Sequence, residues 1–206
     1  MPLVYKRIRK MCKLLESFTN TPISTVEFTD YVECGYKQDN TFPTEGWLPY
    51  AAPEGRDKHF WLRGSFRTPK AEPGFRYILN IYDNSMRGWN VDNPQGMVYL
   101  NGKMVQAIDI NHRIIHLEPD REYSMYLYLY TANVTRSINL TAQLFKQDIE
   151  TDGLYYDLLV PFEALSVLNE NTCEYRDTLS ALEQAVNLLD PTALERIRKN
   201  SDILKK

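Results

Sequence analysis

The loop Asp83–Gln95 is the part of the sequence best suited to contact a ligand or a partner. It has the sequence DNSMRGWNVDNPQ, which places acidic and amide side chains beside a glycine, Trp89 and a proline. Apolar segments flank the loop on both sides. Polar groups next to an aromatic ring can bind a sugar or a protein surface. The residues that lie next to this loop in the fold are therefore candidates for the same site.

A predicted hairpin determines which side chains lie at the end of this loop. Asn101-Gly102 is a strong signal for a two-residue turn, because both central positions need a positive φ. A direct pairing of the flanking strands places Val98 opposite Val105 and brings Pro94 beside Asp109. The open end then gathers Asp92, Asn93, Asp109, Asn111 and His112. Together with Trp89 and Gln95 of the loop, these are the candidate interface or sugar-contact residues. The competing and commoner role for Asn and Asp is a network of Asx turns that anchors the loop.

The sequence contains no motif for catalysis or metal binding. HExxH, GxSxG, GxGxxG, a P-loop, an EF-hand loop and a cysteine cluster are all absent. His112 and His116 share one face of a predicted strand, but four residues of strand span roughly 13 Å, so they cannot hold one ion. We assign no catalytic, cofactor-binding or metal-binding residue and expect no cofactor in this chain.

Composition narrows the classes of partner. The 206 residues include 24 Lys and Arg against 27 Asp and Glu, a net charge of −3, which argues against nucleic acid. No apolar stretch approaches the roughly 20 residues of a membrane span. Cys12, Cys34 and Cys173 lie far apart, which is typical of reduced thiols. With no apolar run after the basic N-terminus, we expect a cytoplasmic protein.

Hydrophobic periodicity divides the chain into three parts. An N-terminal helix is predicted over 1–20, a β-sandwich domain over 21–152 and a helical connector over 153–206. The fold class is mainly β, an antiparallel sandwich of the jelly-roll type that resembles galactose-binding domains. A weak strand is predicted at Thr25–Tyr31 and a long loop at Tyr36–Asp57. The clearer strands are His59–Arg67, Phe75–Tyr82, Gly96–Leu100, Lys103–Ile108, His112–Leu117, Glu122–Tyr130 and Ile138–Gln147.

The strand Glu122–Tyr130 is apolar on both faces. One face carries Tyr123, Met125, Leu127 and Leu129, and the other carries Tyr126, Tyr128 and Tyr130. A sandwich leaves the outer face of each sheet in water, so something must cover the tyrosines. The terminal helices, a partner or another domain could do so, and stacking of a sugar is the alternative.

Three runs of this sequence resemble the N-terminal region of α-mannosidases of glycoside hydrolase family 38, of the bacterial and cytosolic type. They are Gly88–Gln95 (GWNVDNPQ), Val98–Gly102 (VYLNG) and Gln106–Arg113 (QAIDINHR). Leu154–Leu158 and the predicted helix Tyr175–Leu189 are similar to the helical segment that leads to the catalytic domain of that family.

The resemblance implies a non-catalytic domain of a longer enzyme. Family members hydrolyse α-mannosides with retention, using a zinc ion and a carboxylate nucleophile in a catalytic domain that follows the sandwich. The zinc site there has a His-x-Asp signature. The three histidines here are followed two places later by Trp61, Ile114 and Glu118, so no catalytic or zinc-binding residue is carried over.

The expected partners follow from the same resemblance. They are the remainder of the mannosidase chain, whose catalytic domain would hold zinc or another divalent metal, a neighbouring subunit of a homo-oligomer, and a carbohydrate. We expect no nucleic-acid or membrane partner. The alternatives are a carbohydrate-binding module acting on its own and, with less support, a complete small glycosidase.

Overall fold

Three helices and ten strands make up the part of the chain that the computed structural model describes, residues 3–36, 41–84, 93–190 and 192. The helices are α1 (Leu3–Thr19), α2 (Ile149–Ala164) and α3 (Cys173–Leu188). The strands are β1 (Asn20–Val26), β2 (Phe28–Glu33), β3 (Leu48–Pro49), β4 (His59–Arg67), β5 (Phe75–Asp83), β6 (Gln95–Leu100), β7 (Lys103–Ile108), β8 (Ile114–Leu117), β9 (Glu122–Tyr130) and β10 (Leu140–Asp148). The chain divides into two compact units, Pro22–Lys146 and the combination of Met1–Thr21 with Gln147–Lys206.

The unit Pro22–Lys146 is an antiparallel β-sandwich, which confirms the predicted mainly-β fold class. One sheet has the order β1-β10-β5-β8 and the other the order β3-β2-β4-β9-β6-β7. Side chains alternate between the two faces of a strand, so every second residue points into the sandwich. Leu62, Leu79 and Leu127 come from three different strands, and all are fully buried in one shared core.

The predicted hairpin between β6 and β7 forms, but its register changes part-way along. Asn101 and Gly102 both adopt positive φ values, 51° and 80°, as the two-residue turn requires. The pairs next to the turn follow the predicted register. A bulge then places Val98 opposite Gln106, so the predicted pairing of Val98 with Val105 is wrong. An extra residue on one strand shifts every later pair by one.

The segment that precedes β4 forms three strands, where the sequence predicts one weak strand and a long loop. Thr25–Tyr31 is not one strand, because β1 ends at Val26 and β2 begins at Phe28 in the other sheet. Val26 and Phe28 are both buried in the shared core, so the chain crosses between sheets there. β3 interrupts the predicted loop, whereas β4, β7 and β9 have the predicted bounds and β8 and β10 begin two residues late.

The second unit is helical and has its own core. The predicted N-terminal helix forms as α1, and its residues Ile8, Met11 and Leu15 are buried against residues of α2 and α3. Asp148 begins α2, because its side chain accepts a hydrogen bond from the Thr151 backbone N–H at 2.8 Å. The two ends of the chain, which are predicted as separate segments, belong to one compact unit in the structure.

Two sequence expectations concern the helices, namely the C-terminal connector and the lack of a membrane span. The connector 153–206 is helical over α2 and α3 within its described part, and residues 191 and 193–206 lie outside the described residues. None of the described helices combines the length and the apolar character that crossing a membrane requires.

Candidate functional site

The outer face of the six-stranded sheet carries a continuous set of aromatic side chains. They project from neighbouring strands: His59 and Trp61 from β4, Tyr126, Tyr128 and Tyr130 from β9, and Tyr99 from β6. The pairing brings Trp61 opposite Tyr128 and Tyr99 opposite Tyr126. Aromatic pairs across neighbouring strands stabilise a sheet, and their large apolar surfaces are most stable when other residues shield them from water.

One half of this face is covered by the loop between β2 and β4. Phe42 stacks on Tyr126 with ring centroids 4.5 Å apart and meets Trp61 and Tyr99 edge-on. Tyr36 packs on Trp61 and Tyr128. The cover over these tyrosines therefore includes residues of the predicted loop Tyr36–Asp57, which was not among the expected covers.

An ion pair between β2 and β4 holds the arginine that contacts the same loop. Arg63 of β4 bonds Asp30 of β2 at 2.8 Å, and its guanidinium lies 4.6 Å from the centre of the Trp47 ring. The hydrogen bond from Arg63 lowers the pKa of Asp30. The Trp47 indole N–H also donates to the Pro43 carbonyl at 3.1 Å. These contacts hold the aromatic cover in one position.

The other half of the face is an open cleft of about 480 Å³, which we call the aromatic cleft. Its lining residues are His59, Gln95, Gly96, Met97, Ala107, Ile108, Asp109, Tyr128 and Tyr130. The ring of His59 stands between those of Tyr130 and Tyr128, with centroids 4.8 Å and 5.8 Å away and nearly parallel planes. Small-molecule sites have volumes in this range.

Hydrogen bonds fix the three rings of the aromatic cleft. The Tyr128 hydroxyl and His59 Nδ1 share a hydrogen bond of 2.6 Å. The Tyr130 hydroxyl donates to Asp57 at 2.7 Å, and this bond raises the pKa of Tyr130 above its ordinary value. Both tyrosines stay neutral at physiological pH, so the rings provide orientation and apolar surface rather than charge.

Asp109 forms the corner of the chain between β7 and β8. Its Oδ1 accepts hydrogen bonds from the backbone N–H groups of Asn111 at 2.7 Å and His112 at 2.8 Å. The His112 Nδ1 lies 3.0 Å from the same oxygen. These bonds, that from the His112 backbone first, lower the pKa of Asp109. This geometry is an Asx-turn network, the structural role that competes with ligand contact for these residues.

The candidate residues from the sequence fall into four groups. Gln95 and Asp109 line the aromatic cleft. Asn111 and His112 are exposed on the turn, and the side chain of His112 is 70% accessible. Asn93 lies half-buried just before β6, and Trp89 and Asp92 lie outside the described residues.

Sequence reasoning missed His59 and treated the tyrosines of β9 apart from the polar cluster. The available signal was the alternation of His59 and Trp61 in the strand His59–Arg67, which places two aromatic rings on one face. Only the pairing of β4 with β9 shows that these two rings lie on the same face of the sheet as the tyrosines of β9.

A second concavity, of about 960 Å³, lies within the helical unit. Tyr5 and Tyr175 share a hydrogen bond at its side, and burial together with this bond raises the pKa of Tyr5 to about 12. Burial also raises the pKa of the Cys12 thiol. Among residues 3–36, 41–84 and 93–190, no three His, Cys, Asp or Glu side chains converge as a metal site would require.

Comparisons with known proteins give no assignment by sequence. No family model matches the chain, and no curated protein matches it. Among solved structures, the Faecalibacterium prausnitzii β-glucuronidase matches at a TM-score of 0.43 and 11% identity, over 63% of this chain and 32% of that one. A putative β-galactosidase from Bacteroides fragilis matches at 0.42 and 10%, over 62% and 23%. A family 35 carbohydrate-binding module from Clostridium thermocellum matches at 0.24 and 12%, over 65% and 95%.

The first two of these solved proteins are much longer than the matched region. The chain spans about a third of the glucuronidase and about a quarter of the galactosidase. None of the three is described as an α-mannosidase, and likeness at this level carries no information on ligand or activity.

Proposed function

We propose that this chain is a non-catalytic β-sandwich domain of a glycoside hydrolase, and that the enzyme is an α-mannosidase. One observation carries the proposal. The described residues of the runs that resemble the mannosidase N-terminal region lie in and beside the β6–β7 hairpin and in the Asp109 turn, which supply one wall of the aromatic cleft. The distinctive sequence and the open concave surface thus coincide. In the intact enzyme the domain packs on the catalytic domain or on a neighbouring subunit.

The carboxylates near the aromatic cleft support a non-catalytic role. A retaining glycosidase needs one carboxyl group as acid and another as nucleophile, both facing the scissile bond. Asp57 is bonded to the Tyr130 hydroxyl, and Asp109 accepts two backbone N–H groups of its own turn. Both groups are engaged in holding the fold, so the cleft is suited to contact rather than to bond cleavage.

The source gene and two activity assays test this proposal. The reading frame downstream of residue 206 is expected to encode a His-x-Asp segment, and its full product is expected to hydrolyse an aryl α-mannoside with bound zinc. The 206-residue chain, purified alone and supplied with zinc, is expected to leave the same substrate intact. Cleavage by the chain alone, or a full product without α-mannosidase activity, would refute the proposal.

The second candidate is a carbohydrate-binding module that acts on its own. The open aromatic cleft is the observation that favours it, since rings of this kind can accept a sugar without any catalytic partner. The reading frame separates the two candidates. A gene that encodes no catalytic domain after residue 206, together with sugar binding by the chain, would favour the independent module.

A further inference from the structure

The aromatic cleft is built from groups that are already held in place. The Tyr130 ring is oriented by its bond to Asp57, and His59 by its bond to Tyr128. Rigid lining groups lose little conformational entropy when a ligand binds, and this favours affinity. Phe42 and Tyr36 cover the neighbouring part of the sheet but do not line this cleft.

The lining determines which ligand chemistry fits. Among the described residues it contains no lysine or arginine, and the one acidic residue among them, Asp109, disfavours an anion. Phosphates, sugar acids and acidic peptides are therefore poor occupants. The remaining features are aromatic rings and neutral polar groups. A neutral hexopyranose matches both, because it has a face of C–H groups and a rim of hydroxyl groups.

Two neutral polar groups stand where the hydroxyl groups of a stacked sugar would lie. Gln95 is the direct cross-strand neighbour of Tyr130, so the two β-carbons are separated by about 5 Å. In the described part of the chain, the Gln95 amide has no hydrogen-bond partner. His59 uses Nδ1 for the Tyr128 hydroxyl, which leaves Nε2 as its second polar atom. An amide and an imidazole nitrogen can each serve a sugar hydroxyl.

We propose that the aromatic cleft binds one neutral hexopyranose unit, with Tyr130 as the stacking ring and with Gln95 and His59 Nε2 as hydrogen-bonding groups. The inference rests on the proposed function in one respect, namely the choice of mannose as the sugar to test. The site differs from the loop Asp83–Gln95 in that its rings come from β4 and β9.

Titration of the 206-residue chain with methyl α-mannoside and an α-linked mannobiose, followed by NMR chemical shifts, tests the proposal. We expect weak, saturable binding with shifts centred on Gln95, His59 and Tyr130. Tyr130→Ala removes the ring and should weaken binding about tenfold. Gln95→Ala should weaken it about threefold to tenfold. Tyr130→Phe keeps the ring and should bind nearly as the unchanged chain does.

Tyr156→Ala is the matched control, because Tyr156 is a half-exposed tyrosine of α2 outside the cleft. Thermal melting checks that each variant is folded. Gln95→Ala changes only an exposed side chain, so it remains informative if Tyr130→Ala fails to fold. The proposal is overturned by the absence of binding, by unchanged affinity in Gln95→Ala, or by tighter binding of a uronic acid than of a neutral sugar.

Failure of this inference is distinct from failure of the proposed function. A full-length enzyme that hydrolyses α-mannosides, together with a 206-residue chain that binds no sugar, would leave the proposed function intact and refute sugar binding by the aromatic cleft. Sugar binding that depends on Gln95, in a protein without α-mannosidase activity, would support the proposed sugar site and refute the proposed α-mannosidase function.

Discussion

At the scale of single residues, Asp109 shows how a polar side chain is used for structure. One carboxylate oxygen accepts two backbone N–H groups and so closes the turn from β7 to β8. We expect Asp109→Ala to lower the free energy of unfolding by about 1 kcal/mol, because two backbone donors lose their partner. Asp109→Asn retains an acceptor oxygen and should recover most of the loss. Urea denaturation measures both, and equal losses would contradict the turn role.

The same carboxylate predicts how stability depends on pH. The folded-state pKa of Asp109 is lowered by its hydrogen bonds, so its contribution is complete above the unfolded pKa, about 3.9. The contribution is lost as the pH falls through the lower folded pKa. We expect the difference between the urea midpoints of the original chain and Asp109→Ala to shrink as the pH falls from 7 to below about 4, because the protonated carboxyl, like the amide of Asp109→Asn, keeps only a neutral acceptor. A constant difference between them would refute this origin.

The three cysteines should differ widely in reactivity. Cys12 is buried and its thiol pKa is raised by burial, Cys34 is half-buried, and Cys173 is exposed at the start of α3. The thiolate is the reactive form. Burial therefore slows the reaction in two ways, because it restricts access of the reagent to the thiol and because it raises the thiol pKa. A thiol reagent should label Cys173 first and Cys12 only after unfolding. Cys173→Ser should remove the fast phase, and rapid labelling of native Cys12 would contradict the core assignment.

At the scale of elements, regular patterns were predictable and irregular ones were not. Alternation and turn signals suffice for β4, β7 and β9 and for the Asn101-Gly102 turn. The bulge in β7 leaves no such signal. Met104 and Val105 are both apolar and both exposed, so side-chain type does not show which of them faces the core.

The candidate site was predictable to the extent that local sequence determines it. Gln95 and Asp109 meet because they flank one hairpin, which sequence spacing can show. His59 joins them only through the long-range pairing of β4 with β9, and Phe42 covers Tyr126 from an irregular loop. Contacts of this kind depend on tertiary packing and have no periodicity in the sequence.

Gly96 of β6 illustrates a packing limit within the cleft wall. A β-carbon there would lie 2.7 Å from the Tyr128 carbonyl oxygen and 3.1 Å from side-chain atoms of Ile108 and Leu127. We expect Gly96→Ala to lower the free energy of unfolding by about 1–3 kcal/mol, since backbone and core must both move. Gly153→Ala is the control: a β-carbon there meets nothing within 4 Å, and alanine favours the helix by about 1 kcal/mol. Equal effects in urea denaturation would refute the close contact.

At the scale of the whole molecule, each unit buries an apolar core of its own, but α2 also has apolar side chains facing water. Leu158 lies in the helical core, whereas Ile149, Tyr156 and Val160 are 45%, 49% and 60% exposed. Their spacing of seven and four residues places them along one side of the helix. A helix that buries one side in a core and carries apolar side chains on another has a second side suited to burial.

This exposed side of α2 predicts the behaviour of the chain without a partner. We expect the 206-residue chain to bind an apolar dye or to dimerise as its concentration rises, because an exposed apolar patch is favoured to leave water. Val160→Glu adds a charge to the patch and should reduce both effects. Ala181→Glu adds the same charge to an exposed position of α3 and should not. Sedimentation and dye fluorescence measure these effects, and a monomer that binds no dye at high concentration would show that this face needs no cover.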